Sequence, residues 1–356
     1  MRDGSNLDSF GSFWGDHNSA MDLIAPQLNF LPSGSLTPPD WGVILAEGPD
    51  TGTFLQGQLT HDVLLLAVGQ ARFAGYCSAK GRLLASFIVL KVSNDQYLLV
   101  CHRDLMAAMV KRLSMFVMRA KVKLSDASAQ YALRGLLGSA AEAIGPDVIH
   151  APTWHVTQHQ QTYAIKLPSA ASQGQTVLRY LCLAHNDESL QSQEWFASPP
   201  QLSDNTWQLA EVLSGVSMVQ ASTQELFVPQ MLNYESVEGV SFKKGCYPGQ
   251  EVVARSQFRG TIKRRAFIVS CDAPLSVAQE IFASDDGTQA CGTVSSAAQL
   301  EVTSTAAAEA PAGTWWGIAS LQLSALEHKL TLGSSTGPQM HLHALPYPLL
   351  EEDRKS

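Results

Sequence analysis

Two apolar runs around a Lys-Gly turn set the first constraint on what this chain can fold into. Ala71 to Ser78 and Leu83 to Val92 carry aromatic, Val and Ile residues, and Lys80-Gly81 between them reads as a hairpin turn. Trp41 to Glu47, Gln96 to His102 and Val122 to Ser125 read as further strands. Two helices interrupt them. Thr51 to Leu66 follows a Gly-Pro-Asp-Thr-Gly turn. Asp104 to Met118 sets Leu105, Met109, Leu113 and Phe116 near one face, with Asp104 placed to cap it. Strands and helices alternating in this way predict an α+β layer of sheet and helix.

The theme repeats over residues 131–185. Leu133 to Leu137, Trp154 to His159 and Tyr163 to Leu167 read as strands, with a short helix at Ser139 to Ile144. Trp207 to Ser214 is a helix and Val216 to Val219 a short extended piece. From Thr261 the character changes. Ile262 to Cys271, Glu280 to Ala283, Ala290 to Ser296, Trp315 to Leu323 and Met340 to Ala344 are strand-like and separated by turns such as Asp285-Asp286-Gly287. These predict a small β-barrel or sandwich. Glu301 to Gly313, rich in Ala, Thr and Pro, reads as an insertion. Residues 1–20, rich in Gly, Ser, Asp and Asn, read as a disordered tail. The expected division is a tail at 1–20, a two-lobed α/β body at 21–258 and a C-terminal barrel at 261–350.

The chemistry concentrates at Lys243-Lys244-Gly245-Cys246-Tyr247-Pro248-Gly249-Gln250-Glu251, running on to Arg255. Lys244 and Cys246 leave the same face of an extended backbone. A cation beside a thiol favours the thiolate, which attacks electrophiles and binds metals. Gly245 lets a ligand approach the backbone or permits positive φ. Pro248-Gly249 reads as a turn, and Gln250 to Arg255 as a short helix with Glu251 and Arg255 paired at i,i+4. The bland alternative is a buried small hydrophobe beside a solvated Lys-Lys pair.

The string Lys-Gly-Cys-Tyr-x-Gly-Gln-Glu, followed by Ala-Arg, resembles the signature of the YgfZ family. Phe54 to Val63, the Lys80-Gly81-Arg82 turn, Phe227-Val228-Pro229-Gln230-Met231-Leu232-Asn233 and the ending Leu345-Pro346-Tyr347 resemble other family segments in the same order. That family is linked to folate binding, iron–sulfur cluster assembly and tRNA modification, and is related in fold to the aminomethyltransferase (T protein) of the glycine cleavage system. The resemblance implies a T-protein-like α+β fold with a C-terminal β-barrel and a crevice for tetrahydrofolate or another folate derivative. It implies Cys246 as the reactive group, with Lys244 lowering its pKa and Tyr247, Gln250 and Arg255 orienting both. Pro229, Gln230 and Asn233 would line the crevice, and Trp41 and Trp207 could stack on a pteridine or aminobenzoyl ring. T proteins carry Glu-Ala-Gly where this chain has Leu213-Ser214-Gly215, and that glutamate is associated with the pterin. Glu211 lies two residues earlier, on a different helix face. Two alternatives stay open: another group meets the pterin, or folate binds weakly.

Composition bounds the remaining classes. Of 356 residues, 45% are hydrophobic and 16% charged, which suits a globular chain with ample core. The net charge of −8 argues against direct nucleic-acid binding. Within residues 243–265, however, Lys243, Lys244, Arg255, Arg259, Lys263, Arg264 and Arg265 face a single acid, Glu251. This electropositive rim fits a polyanion such as folate with its glutamate tail. Six scattered cysteines without a Cys-x-x-Cys pair support no resident zinc or cluster site and no disulfide framework. His341 and His343 read as a solvated strand edge. No secretory signal or membrane-length run is apparent, so the expected setting is a reducing cytoplasm. The expected partners are folate and iron–sulfur enzymes or their assembly factors. An aminomethyltransferase, moving a one-carbon unit onto tetrahydrofolate, and a direct tRNA-binding module are the two alternatives.

Overall fold

The computed structural model describes residues 31–172, 174–191, 193, 199–260, 262–284, 289–300 and 314–350. The expected tail at 1–20, the expected turn Asp285-Asp286-Gly287 and the whole of the expected insertion at 301–313 lie outside them. The predicted hairpin forms the edge of the first sheet: β3 (Ala71–Cys77) pairs antiparallel with β4 (Leu83–Lys91). Next to β4 lie β5 (Gln96–His102), β2 (Trp41–Glu47) and β6 (Lys123–Asp126), giving the order β3-β4-β5-β2-β6. Strand β4 is buried at eight of its nine positions. Both faces of this sheet are therefore covered, which an unbroken apolar strand requires. The helix α2 (Met106–Val117) packs Met106, Met109 and Leu113 inward.

Two expectations about this half change. The helix after the Gly-Pro-Asp turn is only one and a half turns long, α1 (Thr51–Gln56). Gly57 ends it, and the Gln56 side-chain carbonyl then accepts from the Val63 and Leu64 amides. Residues 57–66 follow as loop because Gln56 offers their backbone another partner. Asp104 does not cap α2. Its carboxylate bonds His102 Nδ1 at 2.7 Å and the Ala221 amide at 2.9 Å, tying the strand-to-helix junction to a segment more than a hundred residues on.

The second sheet has the order β1-β7-β12-β9-β8, from β1 (Gly34–Leu36), β7 (Ala132–Leu137), β8 (Val156–His159), β9 (Thr162–Lys166) and β12 (Arg179–Ala184). A ribbon of β10 (Ala170–Ser172) and β11 (Gln175–Val177) and the short helix α3 (Asp187–Gln191) complete it. The helix α4 (Asp204–Leu213) starts at Ser203, whose hydroxyl accepts from the Thr206 amide. Its Trp207 presses on Gly135 of β7, where a Cβ would stand 2.5 Å from the indole. Only glycine leaves room for that ring.

The C-terminal strands close a six-stranded barrel, β13-β16-β15-β14-β17-β18, from β13 (Arg264–Cys271), β14 (Glu280–Ala283), β15 (Ala290–Gln299), β16 (Trp315–Gln322), β17 (Leu330–Leu332) and β18 (Gln339–His343). β17, only three residues long, escapes a periodicity reading. His343 is no solvated edge. It is buried, bonded to Ser270 Oγ at 2.8 Å and packed on Trp316. Among the described residues no helix is long and apolar enough to cross a membrane.

Candidate functional site

The thiol loop is built from two turns packed back to back. Gly249 has φ +77° and begins the helix α5 (Gln250–Phe258). A Cβ there would stand 2.4 Å from Ser78 O and 2.5 Å from Gly81. Gly81, at φ +71°, in turn touches Val252. The Lys80-Gly81-Arg82 hairpin and the Pro248-Gly249 turn thus fit together only without side chains at both glycines. This contact fixes the loop 243–248 that precedes α5.

Lys244 and Cys246 part company on that loop. Cys246 is exposed, whereas Cys77, Cys101, Cys182, Cys271 and Cys291 are buried. Burial pushes the Cys77 and Cys101 thiols up to about 12 and raises the other three, so all five are inert. Lys244 is only 7% exposed. Its ammonium donates to the Gln56 and Leu59 carbonyls at the end of α1 and lies 4.8 Å from the Tyr247 ring centre. Desolvation lowers its pKa to about 8, opposed by the charge of Asp62 and by Cys246. His61 is nearby, and burial keeps its imidazole toward the neutral form. Gln250 donates to the Lys244 carbonyl at 3.4 Å. Arg255 turns away and pairs with Glu251 at 2.8 Å on the outer face of α5.

Gly245 has neither a left-handed φ nor a packing reason to be glycine. A Cβ there would meet nothing within 4 Å. The space it leaves open adjoins the exposed thiol.

The segment 227–233 is a brace rather than a wall. Pro229 opens a single 3-10 turn, and Gln230 donates to Val253 O in α5 at 2.8 Å. Asn233, left-handed at φ +57°, exchanges both hydrogen bonds with Ala266 of the barrel, at 2.9 and 3.2 Å. Its donor also reaches Tyr347 Oη, which donates to Gly215 O. All three expected crevice residues are buried and joined to protein groups.

The two expected ring-stacking residues meet at a second place. Trp41 and Trp207 pack edge to face, 5.7 Å between centres, at 3% and 1% exposure. They are core side chains rather than open platforms. Around them stand two charged groups. Arg179 lies 4.9 Å over the Trp207 ring, and its guanidinium is 3.9 Å from Glu211. Glu211 does face away from buried Leu213, as the helical period requires, and that turns it onto the indoles. Burial pushes its carboxyl up to about 7. Glu211 Oε1, Arg179 Nε and Trp207 Nε1 are buried and make no hydrogen bond of normal geometry, although both indoles lie close enough to Glu211 to offset part of the rise. Arg179 was missed in the sequence, although an arginine inside the apolar run Leu178 to Ala184 was the available signal. A cavity of about 120 Å³ opens beside Trp41, between the two sheets, with Arg103, Ser128 and Tyr131 on its wall.

The fold and these sites define a class of protein. Residues 40–161 match the GCVT N-terminal domain model. The glycine cleavage aminomethyltransferase T of Bartonella henselae superposes with a TM-score of 0.63 at 13% identity, over 90% of this chain and 87% of that one. The architecture is therefore that of the aminomethyltransferase T protein. Sequence comparison is narrower. The tRNA-modifying protein YgfZ of Photobacterium profundum is 34% identical over 245 residues, covering 66% of this chain and 69% of its own. That of Vibrio vulnificus strain CMCP6 is 32% identical over 64% of this chain and 67% of its own. The chain belongs to the YgfZ family.

The family's fold implies a folate. The Trp41–Trp207 cluster suits one chemically, because the donors near the buried Glu211 carboxylate, Arg179 at 3.9 Å and the two indoles, leave it acceptor capacity for the amino and amide groups of a pterin. Its polar groups fit. The cavity beside Trp41 is smaller than the roughly 300 Å³ of ordinary ligand clefts, and Glu211, Trp207 and Arg179 are not on its wall, so the fit rests on the chemistry of the cluster and not on a preformed cleft.

Proposed function

We propose that this protein supports tRNA modification in the cytoplasm by serving iron–sulfur enzymes or their assembly factors, with tetrahydrofolate as its ligand and Cys246 as its reactive group. The observation that carries this reading is Cys246 itself. It is the one exposed thiol of six, set beside open space that the fold does not need. Lys244 fixes the loop from beneath, so the sulfur is presented rather than buried. Glu211 is the group that would meet the pterin, with Arg179 keeping the carboxylate in place and Trp41 and Trp207 packed behind it. When bound, the folate supplies one-carbon chemistry. The chain's own groups bind it, orient it and exclude water. An aminomethyltransferase is the weaker reading because Leu213, fully buried, occupies the position of the T-protein glutamate.

Two measurements test this. Cys246→Ser should abolish complementation of a strain deficient in the iron–sulfur-dependent tRNA modification, with an unchanged melting temperature. Full complementation by that variant would remove Cys246 from the mechanism. Tetrahydrofolate titration followed by tryptophan fluorescence should give saturable binding. Glu211→Gln should weaken it by about tenfold, the effect of one misfitted buried hydrogen bond.

A further inference from the structure

Seven cations surround α5, and they come from three separate parts of the chain. Contact between Gly81 and Val252 sets Lys80 and Arg82 against the helix. Arg82 lies close enough to Arg264 for its charge to act on the second guanidinium. Each is held by a backbone carbonyl, Arg82 by Leu226 and Arg264 by Cys291. Lys263 precedes Arg264 and is exposed, as are Lys80, Lys243, Arg255 and Arg259. The carboxylates in these segments are Glu225 and Glu251, and Glu251 is bonded to Arg255. Of the basic stretch read from the sequence, Lys244 and Arg265 are internal, bonded to carbonyls and to Glu235 respectively. Arg255 and Arg259 share the helix face of Val252, which the hairpin touches, Arg264 lies beside Arg82, and Lys243 and Lys263 flank them in the chain.

An aromatic ring stands among them. Phe258 is 57% exposed and is propped by Phe242, edge to face at 5.1 Å. It lies between Arg255 and Arg259, one helical turn apart. Positive charge that follows a backbone, with a braced ring between arginines, is how proteins hold nucleic acid through phosphates and stacking. The overall charge of −8 does not oppose this, because at physiological salt a charge is screened beyond about 8 Å. The local cluster decides.

We propose that the α5 face docks the phosphodiester backbone of a folded RNA of transfer-RNA type, with Phe258 stacking on an unpaired base. Docking there brings the RNA to the N-terminal end of α5, where Cys246 is exposed. The inference builds on the tRNA role proposed above and adds direct contact to it.

The test is fluorescence anisotropy with an unmodified tRNA transcript, across a range of salt. Wild type should bind with an affinity that falls steeply as salt rises. The double variant Arg259→Glu/Lys263→Glu should bind about tenfold more weakly and flatten the salt slope by about two. Phe258→Ala should lose affinity severalfold and keep the slope. Tetrahydrofolate titration and melting temperature should be unchanged in both variants. Equal RNA binding by wild type and the double variant would overturn the inference and leave the folate reading untouched. So would loss of pentaglutamyl tetrahydrofolate affinity in place of RNA affinity, which would return the rim to the folate tail. Displacement of the RNA by poly-glutamate as readily as by unlabelled tRNA would also overturn it, in favour of an acidic protein.

Discussion

Lys244 acts on the thiol loop through geometry. Its ammonium is committed to two backbone carbonyls, which holds the loop against α1 and leaves Cys246 outside. Lys244→Met would leave those carbonyls unpaired and should cost about 2 kcal/mol. The pH dependence has a definite sign. Burial lowers the folded pKa to about 8 from an ordinary 10.5. Between these values the unfolded chain carries a proton that the folded chain has lost, so Lys244 makes stability rise with pH across that window. Urea titrations at pH 8 and pH 10 should show a smaller rise for Lys244→Met than for wild type. Gly245 gives the complementary case. Its added Cβ meets nothing, so Gly245→Ala should leave the urea midpoint unchanged while lowering complementation. Unchanged complementation would mean that no ligand uses that space. Both residues stand out in the sequence through their neighbours, but their roles do not. A Lys-x-Cys spacing predicts shared faces in extended backbone, whereas the loop buries Lys244 and leaves Cys246 exposed.

At the scale of elements, the site depends on two turns that the chain keeps about 170 residues apart. Gly249→Ala would meet Ser78 O and Gly81 and would have to hold a left-handed φ. It should destabilise by about 2–4 kcal/mol, read as a lower urea midpoint. Alkylation of Cys246 should also change, since the turn sets the loop. The turns themselves were legible, because glycine beside Pro or Lys between apolar runs is a local signal. That they touch was not, because contact between distant segments leaves no mark in either one. The strands of the first sheet were legible for the same local reason. Residues 57–66 were misread as helix because a side-chain bond from Gln56, invisible to periodicity, captures the following backbone.

For the whole molecule, buried polar bonds cross the joint between body and barrel inside an apolar core that takes in Ile268, Trp316 and Ile318. Arg265 of β13 pairs with Glu235, Asn233 pairs with Ala266, and Tyr347 closes onto Gly215. Arg265→Met would strand the Glu235 carboxylate in the interior and should cost about 3–5 kcal/mol. Hydrogen exchange should show β13 and the 229–236 segment opening together in that variant. Exchange confined to the barrel would mean that the joint is held by apolar packing alone. Several segments that resemble the family's meet at joints of this kind, so they fix architecture as well as chemistry.

The sequence by itself determined the fold class, the barrel and the thiol at Cys246, because local periodicity and one dense string of functional groups carry that information. Tertiary structure alone decided that Lys244 is a strut, that Glu211 meets Arg179 and two indoles, and that hairpin and helix cations share a face. Burial and contact between remote segments set those outcomes, since a side chain's charge state and partners depend on what the fold brings to it.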